Sequence, residues 1–178
     1  MDIVKSLAAA LLWSAQASGV LAAPHVHGVV ALNVALDGSR VVLSLKAPLD
    51  SLVGFERAPR TDAERRAAAD ALARLRQPDA LFKLDPAAGC RRVSVEVEAP
   101  VLEARAGPGV AASGADGHAE LGAQITYDCA QPGGLQTLEV GLADTFKRIR
   151  RIDVQVAGPR GQAKIVLRGT ARSVKLGR

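Results

Sequence analysis

The stretch Val29-Val30-Ala31-Leu32-Asn33-Val34-Ala35-Leu36-Asp37-Gly38-Ser39-Arg40-Val41-Val42-Leu43-Ser44-Leu45-Lys46 decides the fold class. Two runs rich in Val and Leu flank Asp37-Gly38, a dipeptide that supplies the backbone of a tight hairpin turn. The domain therefore opens with a β-hairpin. Further on, Val93, Val95 and Val97 alternate with Ser94, Glu96 and Glu98 and predict a strand with one buried face over Arg91 to Pro100. Leu121, Ala123, Ile125 and Tyr127 do the same over Ala119 to Cys129. Shorter strands are expected over Leu135 to Leu142, Ile152 to Val156 and Ala163 to Arg168, with a turn of helix around Asp144 to Arg148 before the second of these.

One segment has the helical period. Thr61 followed by Glu64 is a capping box, Ala67, Ala68, Ala71, Leu72 and Leu75 form an apolar stripe, and Gln77-Pro78 ends the run. Leu81 to Leu84 is a further short apolar segment. The Gly and Pro residues of Val53-Gly54-Phe55-Glu56-Arg57-Ala58-Pro59 make an irregular connection, and Ala104 to Gly117 reads as an exposed loop between two strands. The sum is a mainly β (α+β) protein: an antiparallel sheet or sandwich of seven to eight strands, with one α-helix inserted after the first hairpin.

Asp2 and Lys5, the apolar run Leu7 to Trp13 and the small residues from Ala15 to Ala23 have the layout of a cleavable export signal, with cleavage expected after Ala17, Ala22 or Ala23. The run is well short of the roughly 20 residues of a membrane span, so none is expected after signal removal. Residues 24–178 are then read as a single periplasmic domain; about 155 to 161 residues are enough for one core. Aromatics make up only 3% of the chain, which excludes an aromatic platform for nucleic acid bases. Of the excess positive charge, net +5, the densest group is Lys147-Arg148-Ile149-Arg150-Arg151. It reads first as a solvated corner and second as a docking surface for an acidic partner.

The two cysteines, Cys90 and Cys129, are expected to pair in an oxidising compartment. Ligation of a metal by both thiolates is the other use of such a pair, and no C-x-x-C motif supports it. Catalytic signatures are absent: there is no H-E-x-x-H, no Gly-x-Ser-x-Gly and no serine in a recognisable context, so no enzyme is expected.

His25 and His27 are two of three histidines and stand where the exported chain would begin. Two residues apart on an extended chain, they point to the same side and could share a metal ion. Pro24 has no N-H to give up, which excludes an amino-terminal square-planar copper site. Imidazole suits zinc, copper and nickel alike, and its affinity for any of them falls below about pH 6.5 as the ring takes a proton.

His25-Val26-His27-Gly28, the hairpin with its Asp-Gly turn, Val53-Gly54-Phe55-Glu56, Leu81-Phe82, Cys90, His118 ahead of a strand ending in Cys129, and Phe146 to Val156 resemble in order and spacing the zinc-regulated ZrgA type of bacterial envelope protein. The resemblance covers nearly the whole exported chain. It implies a periplasmic zinc-binding protein associated with zinc uptake, with zinc handed to an importer or another envelope protein, and a ligand set of His25, His27, Glu56 and His118. Three imidazoles and a carboxylate are a sensible zinc shell. Two departures are plain: Arg57 stands where many relatives carry a second histidine, and the loop from Ala104 to Gly117 has no histidine. They favour a second reading, a metal-free envelope adaptor docking through its basic surface. Glu56 could also pair with Arg57 or Arg60, and His118 could bond a backbone carbonyl.

Overall fold

The computed structural model describes residues 26–103 and 119–176; the export signal, His25, the 104–117 loop and His118 lie outside them. In chain order the elements are β1 (Val29–Asp37), β2 (Arg40–Pro48), α1 (Leu49–Val53), α2 (Asp62–Arg76), β3 (Phe82–Leu84), β4 (Cys90–Glu98), α3 (Pro100–Glu103), β5 (Glu120–Cys129), β6 (Thr137–Val140), α4 (Leu142–Thr145), β7 (Arg151–Gly158), β8 (Gly161–Arg168) and β9 (Ser173–Lys175). A six-stranded sheet runs β4-β5-β2-β1-β7-β8, and a three-stranded sheet runs β3-β6-β9. The mainly β class with one long helix after the first hairpin holds.

The hairpin forms, but its two-residue turn is Gly38-Ser39 rather than Asp37-Gly38: Asp37 pairs with Arg40 as the last strand residue, and Gly38, φ +55°, opens the turn as a glycine-first tight turn requires. Thr61 Oγ1 accepts from the Glu64 backbone N-H and the Glu64 carboxylate accepts from Thr61 N, so the capping box forms. Ala68, Ala71, Leu72 and Leu75 carry the buried stripe of α2, while Ala67 falls outside it. Every second residue of β1, β2, β5 and β7 is buried: Leu32, Leu43, Leu45, Leu121, Ile125, Ile152 and Val154 face inward. They join Phe82, Leu138, Val140 and Val174 of the small sheet and Leu72 and Leu75 of α2 in a single cluster. Asp85 ties the small sheet in place: one carboxylate oxygen accepts from Gln136 N, Thr137 N and Thr137 Oγ1, which holds the acid below its ordinary pKa.

Two further details differ from the sequence reading. β1 lies parallel to β7, Val29 against Arg151 through Ala35 against Ala157, so the large sheet is mixed rather than wholly antiparallel. Five strands intervene between this pair, and such a crossover can return in either sense without altering the period of either strand. Val93 is exposed instead of sharing the buried face of Val95 and Val97, because the β4–β5 register shifts between Arg92 and Ser94 and leaves Val93 as the extra residue of a bulge.

Cys90 and Cys129 are direct partners in the β4–β5 ladder and form a disulfide, closing a separation of 39 residues. It ties the ends of the two strands that flank the 104–118 segment. Replacing both cysteines by Ser is expected to lower unfolding stability by about 4 kcal/mol, the loop-closure entropy for that length. Urea denaturation of the double variant against the oxidised protein checks it.

Candidate metal centre

The site is built from the start of β1 outward. Gly28 has φ +78°, a backbone that favours glycine, and a Cβ there would also crowd the Arg148 carbonyl oxygen at 3.1 Å. Its N-H donates to Ser51 Oγ at 2.9 Å, and its C=O accepts from Arg150 N and Arg151 N at 2.8 and 3.0 Å. Ser51 is fully buried, the one buried polar side chain among the described residues. These bonds clamp the segment carrying His27 between α1 and the entry to β7.

α1 begins directly after Pro48 and ends on Gly54, whose φ of +91° turns the chain into the Phe55-Glu56 loop. The turn sends Glu56 back over His27: Glu56 Oε1 lies 3.3 Å from His27 Nε2. Asp50, on the first turn of α1, approaches the other ring nitrogen, with Oδ2 3.9 Å from Nδ1. The imidazole is 57% exposed whereas the carboxylates are 18% and 16% exposed, so the ring is reachable from solvent and the acids are sheltered. Zinc bonds of about 2.0 to 2.1 Å at the tetrahedral angle set adjacent donor atoms roughly 3.3 Å apart. The His27 Nε2 to Glu56 Oε1 separation matches that spacing.

Arg57 does not stand beside this pair. Its guanidinium forms two bonds to the Glu64 carboxylate, 3.0 and 2.7 Å, and stacks 5.5 Å from the centre of the Phe55 ring. Glu64 is pulled down to about pKa 2, chiefly by Arg57 and next by the Arg60 backbone N-H. Glu56 is therefore not the partner of Arg57, and Arg60 meets Glu64 through its backbone. Arg148 lies across α1, with Nε on the Asp50 carbonyl and Nη2 on Asp50 Oδ1, both at 2.7 Å. Arg151 is held by both oxygens of Asp153. Two of the four cations in the basic run are thus engaged within the fold.

Of the four sequence-derived ligands, His27 and Glu56 are brought together, while His25 and His118 lie outside the described residues. Their chain neighbours are at the same end: Pro48 pairs with Glu120 in the β2–β5 ladder, and Leu49 N donates to the Ala119 carbonyl at 2.9 Å. Asp50 was missed by sequence reasoning. It has no motif, and only the folding of α1 against Gly28 brings it to the histidine. Among the described residues no group of three or more His, Cys, Asp or Glu is arranged to hold a metal. What they present is a two-donor pair with a second acid in reach.

A model of the ZrgA family of zinc uptake proteins matches residues 24–176. The chain belongs to this family. The match spans the clamped Gly28, the Glu56 loop, the disulfide and both sheets, and it fixes zinc uptake as the process in which the family is placed. A comparison with curated proteins finds no match. No helix among the described residues is long and apolar enough to cross a membrane.

Ser51→Ala is expected to leave the buried Gly28 N-H without its acceptor, at about 1 to 3 kcal/mol of unfolding stability, read by urea denaturation. Glu64 yields a pH prediction. Its folded pKa is depressed, so its contribution is complete above the unfolded value near 4.5 and is lost as the pH falls from there through about 2. Thermal unfolding followed from pH 6 to pH 2 should show this loss, and Glu64→Gln should flatten the curve in that window.

Proposed function

We propose that this is a periplasmic zinc-binding protein that captures zinc through His25, His27, Glu56 and His118 and hands it to an importer or another envelope protein. Zinc is cargo here, and no chemical step is performed on it. The observation that carries the reading is the 3.3 Å approach of Glu56 Oε1 to His27 Nε2, made by residues 29 positions apart that the clamp on Gly28 and the turn at Gly54 bring together.

Three further features support it. The Ala119 carbonyl, of the residue that follows His118 in sequence, accepts from the N-H of Leu49, the residue before Asp50. Arg57 is neutralised by Glu64, which removes the nearest objection to a cation beside Glu56. Asp50 Oδ2 faces the other ring nitrogen, where a carboxylate orients a metal-bound imidazole, while Arg148 holds Oδ1. A solvent-facing imidazole backed by sheltered carboxylates suits a site that must release as well as bind.

Titration calorimetry of zinc into the purified protein tests the proposal. One zinc per chain is expected, abolished when His25, His27 and His118 are all changed to Ala. Glu56→Gln should weaken binding by about tenfold or more, the range in which even outer carboxylate partners of metal-binding histidines act. Absence of binding to the unaltered protein, or unchanged binding in the triple variant, would overturn the ligand set.

A further inference from the structure

A cation beside a cation site works against it on charge alone, yet Arg148 lies against Asp50, the acid that faces His27 Nδ1. The contact is a specific one. The guanidinium donates through Nε to the Asp50 carbonyl and through Nη2 to Oδ1, both at 2.7 Å, so one planar fork spans the backbone and the side chain of the same residue. That bridge fixes the side-chain rotamer of Asp50. With Oδ1 taken, Oδ2 is the oxygen turned to the histidine, 3.9 Å from Nδ1. About 1 Å of ring movement closes that gap to an N-H donor bond of about 2.9 Å, and the ring, 57% exposed, has room to make it.

The opposite edge of the ring has a different geometry. Nε2 is 3.3 Å from Glu56 Oε1, the spacing of two donors on one zinc ion. A neutral imidazole binds a metal through one nitrogen while the other keeps its proton, and in metal sites that N-H is ordinarily given to a carboxylate, a carbonyl or water, which fixes the ring and raises its basicity. Asp50 stands at the nitrogen that Glu56 does not.

We propose that Arg148 is a positioning residue of the zinc site: by holding the Asp50 carboxylate toward Nδ1, it reserves that nitrogen for the proton and leaves Nε2 for zinc. The inference rests on the reading of His27 and Glu56 as zinc ligands, and adds which ring nitrogen binds and which cation sets it. Arg148 acts through Asp50, and Asp50 through the ring. Its two effects on the site have opposite signs. The charge repels zinc, but pairing with Asp50 and 55% exposure of the side chain screen that repulsion. The grip keeps Asp50 in place, and loss of such an outer partner of a metal-bound histidine weakens metal binding by about tenfold to a hundredfold. The grip is the larger effect.

Calorimetry of zinc binding to the purified protein separates the two by sign. Asp50→Ala should weaken binding about tenfold or more, and Arg148→Ala, one step further from the ring, about threefold or more. A cation that only repelled zinc would on removal tighten binding instead. In the Asp50→Ala background, Arg148→Ala should weaken binding no further, because its route to the ring is gone. Nitrogen-15 NMR of the histidine-labelled, zinc-loaded protein gives a second readout: His27 bound through Nε2, with an Nδ1-H that exchanges slowly with solvent in the unaltered protein and quickly in both single variants. The nitrogen assignment is made on the unaltered protein and needs no variant. The segment around Arg148 should stay folded without the guanidinium, since Phe146 and Ile149 are buried and Arg150 and Arg151 bond to Gly28 through their backbone; circular dichroism checks it. Zinc binding by Arg148→Ala as tight as that of the unaltered protein or tighter, or His27 bound through Nδ1, overturns this inference and leaves the ligand set standing. No zinc binding to the unaltered protein overturns both.

Discussion

The buried bond from Gly28 N-H to Ser51 Oγ is the constraint from which the metal-facing end of the molecule follows. It joins the first residue before β1 to the middle of α1, so the strand and the helix cannot move apart without leaving a buried donor unsatisfied. The Gly28 carbonyl is fixed from the other side by Arg150 and Arg151, which sets the start of the parallel β1–β7 pairing. Because Gly28 is pinned from two directions, His27 beside it has a defined place relative to Asp50 and Glu56. A flexible leader would give the same residues no mutual geometry.

α1 is short, only Leu49–Val53, yet it makes four connections. Leu49 takes the Ala119 carbonyl, Asp50 faces His27 and takes Arg148, Ser51 takes Gly28, and Gly54 closes the helix and redirects the chain toward Glu56. Gly54 is explained by its backbone alone: at φ +91° an L side chain would be strained, whereas a Cβ there would make only ordinary contact with the Arg148 guanidinium. The Val-Gly-Phe-Glu sequence thus serves less as a set of ligands than as the bend that presents one.

Local patterns were legible where the chain repeats a period or closes a short turn. The hairpin, the capped helix from Thr61, the β5 alternation and the Cys90 to Cys129 pairing all follow from neighbours close in sequence or from compartment chemistry. The parallel β1–β7 contact was not legible, because strand alternation fixes which face is buried and is silent about which strand lies alongside. β3 and β9, three residues each, are too short to show a period. The Val93 bulge breaks an alternation that the sequence continues without interruption. At the site, His27 was found from its His-x-His spacing and Glu56 from the resemblance, whereas Asp50 and Ser51 carry no pattern and become visible only when α1 docks. Glu64 was read as half of a capping box, which it is; that the same carboxylate also takes the Arg57 guanidinium could not be read from spacing alone.

That double use of Glu64 bears on how a basic protein presents a site for a cation. A net charge of +5 does not set the sign of the local field, since exposed charges more than about 8 Å away are largely screened at physiological ionic strength. What matters is the balance within that distance of His27. Arg57 is consumed by Glu64, Arg151 by Asp153, and Arg148 by one oxygen of Asp50. Each arginine so engaged acts on the site as part of a pair, whose field falls off faster than that of an isolated charge. Glu56, sheltered beside the ring, and the second oxygen of Asp50 are the acidic groups that face the histidine directly. The fold therefore pairs Arg57, Arg148 and Arg151 with carboxylates of their own and leaves the Glu56 carboxylate facing the ring, an arrangement that their sequence positions do not reveal.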